Sequence, residues 1–387
     1  MSSCFCLFLQ KKVNMKKNIT FILIILLAFV SACGVDDTSD IQSTDSYDRS
    51  ALLVNWADNI IIPGYANFSQ KLTALEIASE NFTQSPSAIS LDGMRNSWLD
   101  ANKAFQKISM FEIGRAQTLN YRNRLNVYPT NSQEIEGYIS ANSWNLELPS
   151  TIDAQGFPAL DYLLYGLGTD QELLEKFTTG PNASSYKMYL LDLVTTMQNL
   201  TNEVFSDWNN GYRESYITNT SSSASGSVDQ TVNAFLFYYE KALRAGKVGI
   251  PAGVFSGSPL PQNVESYYNQ TVSKLLLIQA LNATVDFFNG VGFSSEYQSN
   301  GFSLNSYLEA LNSEKNDASL QTLINNQFQV AFSKIELLND NFIQQITNDN
   351  TKMLEAYDEL QRNVILMKVD MLQALSIDVN YVDADGD

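Results

Sequence analysis

Apolar residues fall three and four positions apart through five long stretches of this chain, and that spacing decides the fold class. Leu91, Met94, Trp98, Ala101, Phe105 and Ile108 share one helical face, with Ser90 as predicted N-cap and Asp92 in the first turn. Tyr186, Tyr189, Leu190, Leu193, Met197, Leu200, Val204 and Trp208 repeat the pattern. Tyr268, Thr271, Leu275, Ile278, Val285 and Phe288 form a third stripe. Leu320, Leu323, Gln327, Ala331, Leu338, Phe342 and Ile346 form a less regular fourth. Met353, Tyr357, Leu360, Val364, Met367, Met371 and Leu375 close the series. Strict two-residue alternation, the mark of a strand, is scarce. Helices with one apolar face each can bury those faces only against one another, so the chain is expected to be all-α. Two helical-bundle halves with up to about ten helices and long irregular loops fit its length.

Two composition facts remove whole classes of function. The chain has no histidine. Ser-His-Asp and Cys-His nucleophilic catalysis, histidine-ligated zinc and histidine-ligated haem are therefore excluded, leaving Met or Tyr as axial haem ligands. The net charge is −18; the first 32 residues carry four lysines and no acid, so the remainder holds 20 cations against 42 acids, a net −22. Such a chain does not bind nucleic acid or lie flat on anionic lipid.

The N-terminal segment is an address. Lys16 and Lys17 precede the apolar run Phe21–Val30, then Ser31, Ala32 and Cys33. That order is a secretory signal, and a ten-residue run is half the roughly 20 a spanning helix needs. Residues 1–14 read as an untranslated extension before Met15, and 15–32 as the signal peptide. Val30-Ser-Ala-Cys33 resembles the bacterial lipobox, which makes Cys33 the lipidation site and the envelope, with the outer membrane preferred, the destination. Two or more acyl chains anchor a protein stably. Cys33 is the only cysteine after Met15, so no disulfide supports the fold. Residues 33–47, with Asp36, Asp37, Asp40 and Asp45, read as a flexible acidic tether. The bundle halves then span 48–217 and 229–380, joined by the Ser/Thr-rich linker 218–228; 381–387 is an acidic tail. Asp383-Ala-Asp-Gly-Asp387 begins like a calcium loop but lacks the later ligands. The Gly/Pro-rich stretch Gly246–Pro261 is a second predicted long loop.

Four segments carry a family resemblance. Gly156-Phe-Pro-Ala-Leu-Asp-Tyr-Leu-Leu-Tyr-Gly166 resembles the imelysin signature, Gly-x-His-x-x-Glu followed by an apolar Tyr/Phe-Leu-Leu-x-Gly. Leu91–Arg115, with Trp98 and Glu112-Ile-Gly-Arg115, is similar to that family's early tryptophan-bearing helix. Arg124-Leu-Asn-Val-Tyr-Pro-Thr-Asn131 resembles the stretch leading into the signature. Lys241–Pro251 with Ser256–Pro261 resembles lipoprotein members of Gram-negative bacteria. The resemblance implies two bundle-like halves with the signature near their interface, and an association with iron acquisition or metallopeptidase activity. Iron or another divalent cation is the cofactor it brings into view, and outer-membrane iron or haem uptake proteins are the partners.

The signature is degenerate here: Pro158 stands at the family's histidine and Asp161 at its glutamate. Proline offers no ligand and no N–H, and early in a helix it starts the helix comfortably. Asp161 is either a residual metal ligand, with Glu112 or Glu136 as oxygen partners, or a first-turn acid favoured by the helix dipole. Trp98, Glu112, Arg115 and Tyr128 are candidate pocket residues; alternatively Trp98 is core and Glu112 pairs with Arg115 at i,i+3. Lys241, Arg244 and Lys247 are a candidate anion site, or cations at a helix C-terminus capped by Gly246. Two functions follow from the resemblance: an accessory or binding lipoprotein of iron or haem acquisition with no peptidase centre, or a metal-dependent hydrolase with carboxylate ligands. A structural partner in an envelope complex is the third.

Overall fold

The computed structural model describes residues 46–293 and 301–381. The predicted signal, Cys33, nearly all of the tether and the residues from 382 onward lie outside the described residues. Helix α1 (Arg49–Asn55) runs through a π-helical turn, Trp56–Ile61, into α2 (Ile62–Gln84). Helix α3 (Ala88–Gln106) returns beside α2. Its cap is Ser87, not Ser90: Ser87 Oγ accepts from the Ser90 N–H, and Ser90 Oγ accepts from the Ser87 N–H. A capping box satisfies two helix-end N–H groups at once, and that reciprocity puts Ser90 inside the first turn. Short helices α4 (Arg115–Leu119), α5 (Tyr121–Leu125) and α6 (Ser132–Ala141) lead to α7 (Gly156–Tyr165), which holds the signature. After α8 (Asp170–Thr178), the long α9 (Ala183–Asp207) packs along α2.

Helix α10 (Arg213–Thr218) ends the first half. The predicted linker is a compact turn rather than a spacer: Asn219 Nδ2 donates to the Ser225 carbonyl, and Ser227 N donates to the Asn219 carbonyl. Helix α11 (Ser227–Phe237) then widens into a π-helix, Tyr238–Gly249, and ends in α12 (Ile250–Ala252). Lys241, Arg244 and Gly246 are therefore mid-helix and not at a C-terminus. The irregular stretch lies later than predicted, from Gly253 to Val272, broken by one turn at Pro261–Asn263. Helix α13 (Ser273–Phe288), α14 (Leu304–Ala310), a two-stranded hairpin of β1 (Glu314–Lys315) and β2 (Ala318–Ser319), α15 (Leu320–Glu336), α16 (Phe342–Asp349) and α17 (Thr351–Ile365) follow. A further π turn, Leu366–Met371, leads into α18 (Leu372–Leu375). Among the described residues no helix is long and apolar enough to cross a membrane.

The core is continuous. Trp56, Trp98, Trp208, Tyr65, Tyr121 and Tyr239 are among its largest fully buried side chains. Helices α2, α3 and α9 form one bundle; α15, α17 and the π-helix form another, and α13 packs against α3 across the two. The described residues belong to one compact unit. The chain is all-α, as its periodicity implies. Stripes one, two and five are buried as predicted. The third is misregistered except at Phe288: α13 starts at Ser273, so Tyr268 and Thr271 precede it, Leu275 is exposed, and the buried face includes Leu276, Leu277, Ala280, Leu281, Thr284, Phe287 and Phe288. In the fourth, Ile324 and Phe328 are buried where Leu323 and Gln327 were predicted. Tyr47, assigned to the tether, stacks on Tyr307 with ring centroids 4.2 Å apart and so belongs to the fold.

The register of α13 can be tested. Leu277→Ala should cost about 2–5 kcal/mol in urea unfolding, whereas Leu275→Ala, at 36 % exposure, should cost under about 1 kcal/mol. Equal losses would restore the predicted stripe.

Candidate functional site

The signature helix begins where the two bundles meet. Gly156 has φ +73°, and a Cβ there would lie 2.1 Å from the Leu125 carbonyl oxygen, so only glycine lets α7 start this close to the end of α5. Trp98, fully buried, donates its indole N–H to the Phe157 carbonyl at 3.2 Å. That bond fixes the first turn, and Pro158 costs nothing where its missing N–H has no helical partner. Trp98 is thus a packing residue that positions α7.

Asp161 is buried, 1 % exposed, and points out of α7 toward the irregular loop of the other bundle. Its Oδ2 accepts from the Tyr268 N–H at 2.9 Å and its Oδ1 from the Asn269 N–H at 3.0 Å. Both oxygens are engaged by backbone. Burial pushes its carboxyl up to about 7; the two N–H groups pull the other way, and nearby Glu265 adds to the rise. Asp161 lies beyond the first turn of α7, out of the place where the helix dipole favours an acid, and its proposed oxygen partners Glu112 and Glu136 are engaged elsewhere. Glu136 accepts from the hydroxyls of Tyr162 and Tyr186. Glu112 accepts from the Arg122 N–H at 3.0 Å, and burial raises its carboxyl. Arg115 pairs with Glu203, not Glu112, because it opens α4 and faces α9. Among the described residues no three His, Cys, Asp or Glu side chains are placed to hold a metal.

The predicted anion trio is divided between two buried glutamates. Glu240, 1 % exposed, takes Lys241 at 3.1 Å, Lys368 at 3.2 Å and Arg244 at 3.7 Å, and accepts from the Tyr381 hydroxyl. Arg244 also donates to Tyr357 and Gln361. Lys247, 4 % exposed, is ion-paired with Glu265. Burial pulls the Lys247 ammonium below its usual range, and Glu265 restores part of the loss. The π-helix turns these cations into the protein, where they balance carboxylates instead of meeting an anion from solvent.

Two cavities flank this junction, and Tyr128 lines both. The first, about 140 Å³, lies over the signature, between Pro158, Asp161, Tyr128 and the loop residues Ser266, Tyr267 and Tyr268. The second, about 200 Å³, lies between α3, α5 and the π-helix, and includes Gln106, Arg122, Asn126, Tyr238 and Lys247. Glu265 ties them together: it accepts from Asn126 Nδ2 at 2.7 Å and Gln106 Nε2 at 3.3 Å. Of the predicted pocket residues only Tyr128 is here; Trp98 is core, and Glu112 and Arg115 line neither cavity. Gln106, Arg122, Asn126 and Glu265 were not predicted, although Asn126 falls in the stretch Arg124–Asn131 and Arg122 lies just before it.

An all-α protein whose two bundles meet at a Gly-Phe-Pro-x-x-Asp helix start has the organisation the resemblance implied. The family model Peptidase_M75, described as Imelysin, matches residues 61–366. The chain belongs to the imelysin family. It is similar to iron-regulated protein A of Synechococcus elongatus, 24 % identical over 135 residues. That match spans 35 % of this chain and 35 % of the relative, about a third of the relative's length. A crystal structure from Parabacteroides distasonis, assigned as an iron-regulated protein A precursor, has TM-score 0.67 at 18 % identity, covering 84 % of this chain and 95 % of that one. An imelysin-like protein from Psychrobacter arcticum superposes with TM-score 0.67 at 17 % identity, covering 86 % and 97 %. These two share the fold.

Two outcomes follow from the buried carboxylates. Glu265→Ala strands the Lys247 ammonium and should cost about 3–5 kcal/mol in chemical denaturation. Asp161 is raised from 3.8 to about 7 in the folded protein, so its contribution is full below pH 3.8 and is lost as pH rises through 7. The stability of Asp161→Asn relative to wild type should therefore improve from pH 5 to pH 7, by at most about 1.4 kcal/mol per unit. A gap independent of pH would show that Asp161 ionises normally.

Proposed function

We propose that this imelysin-family chain is an accessory protein of iron acquisition, held at the outer membrane through a lipid on Cys33, with no peptidase centre. The observation that carries the reading is at the signature. Pro158 supplies no ligand, and both oxygens of Asp161 are already hydrogen-bonded to the backbone of Tyr268 and Asn269. A metallopeptidase needs a polarised water and a general base beside the metal. Asp161 instead clamps the loop of one bundle to the signature helix of the other. The iron association is supported by family membership and by the similarity to iron-regulated protein A. The anchor is supported by the order Lys16-Lys17, Phe21–Val30, Cys33. The junction, with its two cavities, is the surface through which such a protein would meet a ligand, and iron or haem uptake proteins of the same membrane are its proposed partners.

Deleting the gene in the source bacterium and growing it with a ferric chelator tests this. Slower growth, restored by the wild-type chain and not by Cys33→Ser, is the expected result. Metal-dependent cleavage of insulin or casein by the purified chain, with no iron-dependent growth defect, would replace the reading with the hydrolase one.

A further inference from the structure

Glu136 is held by phenols. It is half-buried on α6, and among the described residues no ammonium or guanidinium pairs with it. Tyr162 on α7 donates to its Oε1 at 2.7 Å. The Tyr186 hydroxyl on α9 stands 2.8 Å from Oε1 and 2.6 Å from Oε2. Lys176 on α8 donates to that hydroxyl at 3.0 Å. Four helices thus bring two phenols, a carboxylate and an ammonium to one place. The rings are fixed by packing: Tyr186 lies against Phe177 with centroids 5.5 Å apart, and Tyr162 against Tyr268 at 5.1 Å. Tyr162 is 9 % and Tyr186 4 % exposed, so neither phenol has much freedom to lose on binding a ligand.

We propose that Glu136, Tyr162 and Tyr186 bind ferric iron, the tyrosines as phenolates and Glu136 as carboxylate. Binding exchanges protons for the ion: two phenolic O–H bonds break, two Fe–O bonds form, and two protons leave to solvent. No electron moves. Charge selects the valence, since two phenolates and one carboxylate carry three negative charges and balance a trivalent cation. An all-oxygen donor set suits a hard one. Spacing agrees. In an octahedral shell of radius ~2.0 Å, neighbouring oxygens lie about 2.8 Å apart, close to the separations already present between Glu136 and the two hydroxyls. Lys176 favours the charged form of Tyr186, because it donates a hydrogen bond to the oxygen that must lose its proton. Three protein ligands leave other positions to water or to the chelate that delivers the ion. Charge and spacing select a hard trivalent cation; the choice of iron among these rests on the function proposed above.

Titrating the full chain in detergent with ferric nitrilotriacetate tests the site. A visible charge-transfer band, the mark of phenolate on ferric iron, should saturate at one ion per chain. Tyr162→Phe and Tyr186→Phe keep the ring packing and remove one ligand each. Either should weaken binding by more than the roughly 10–100-fold that losing a second-shell partner costs, with circular dichroism reporting the fold. Burial, and then Glu136, push both phenols above their usual range, so they hold their protons until the ion displaces them, and affinity for the free ion should rise with pH. A folded wild-type chain without the band, or a band unaltered in both phenylalanine variants, overturns the assignment. An iron-dependent growth defect without the band removes this site and leaves the proposed function standing; the band without a growth defect does the reverse.

Discussion

A carboxylate removed from water must find its balance locally, and Glu265 does so at the point where the two bundles meet. Its charge is shared by Lys247 from the π-helix, Gln106 from α3 and Asn126 from the end of α5. Its own carbonyl accepts from Ser273 at the start of α13. Four elements are thereby referred to one residue. A buried ion pair adds little net stability compared with apolar packing, but it penalises every arrangement that leaves one partner alone. That penalty adds selectivity to the apolar surface through which the bundles meet.

The Asp161 clamp works beside it by a different route. Backbone N–H groups cannot be moved without moving the chain, so the carboxylate dictates where Tyr268 and Asn269 lie. Tyr268 in turn packs on Tyr162, ring centroids 5.1 Å apart, which hydrogen-bonds Glu136 on α6. The position that the imelysin pattern gives to glutamate is occupied here by a residue of architecture. Pro158 is consistent with that role, since it stiffens the helix start from which Asp161 projects.

Periodicity is a local property, and what depends on it was readable. The stripes from Leu91, Tyr186 and Met353 are buried as spaced, because a helix turn repeats whatever lies around it. The α13 stripe failed where the irregular loop fed into the helix: Tyr268 and Thr271 have the right spacing but no helix beneath them. The site was less accessible for a physical reason. Gln106 and Glu265 lie 159 positions apart and meet only through tertiary packing. The cluster Lys241, Arg244 and Lys247 was noticed for its charge, yet its partners Glu240 and Glu265 turn it inward. The π-helix that does this has no simple composition signal. Arg122 and Asn126, by contrast, stood in or beside a segment singled out for resemblance, and their cavity became visible once α5 was placed against the π-helix.

Tyr47 has a temporal implication. Its hydroxyl donates to the Ser303 carbonyl and its ring stacks on Tyr307, contacts that join positions 256 and more apart. Arg49 similarly donates to Tyr307 and faces Asp229 at 3.7 Å. At roughly 5–20 residues per second, those partners leave the ribosome tens of seconds after Tyr47 does. Tyr47 and Arg49 therefore wait for their partner on α14 even after α1 itself can pack on α10 and α11. Anything that holds the chain in an extended state over that interval spares its start a premature collapse.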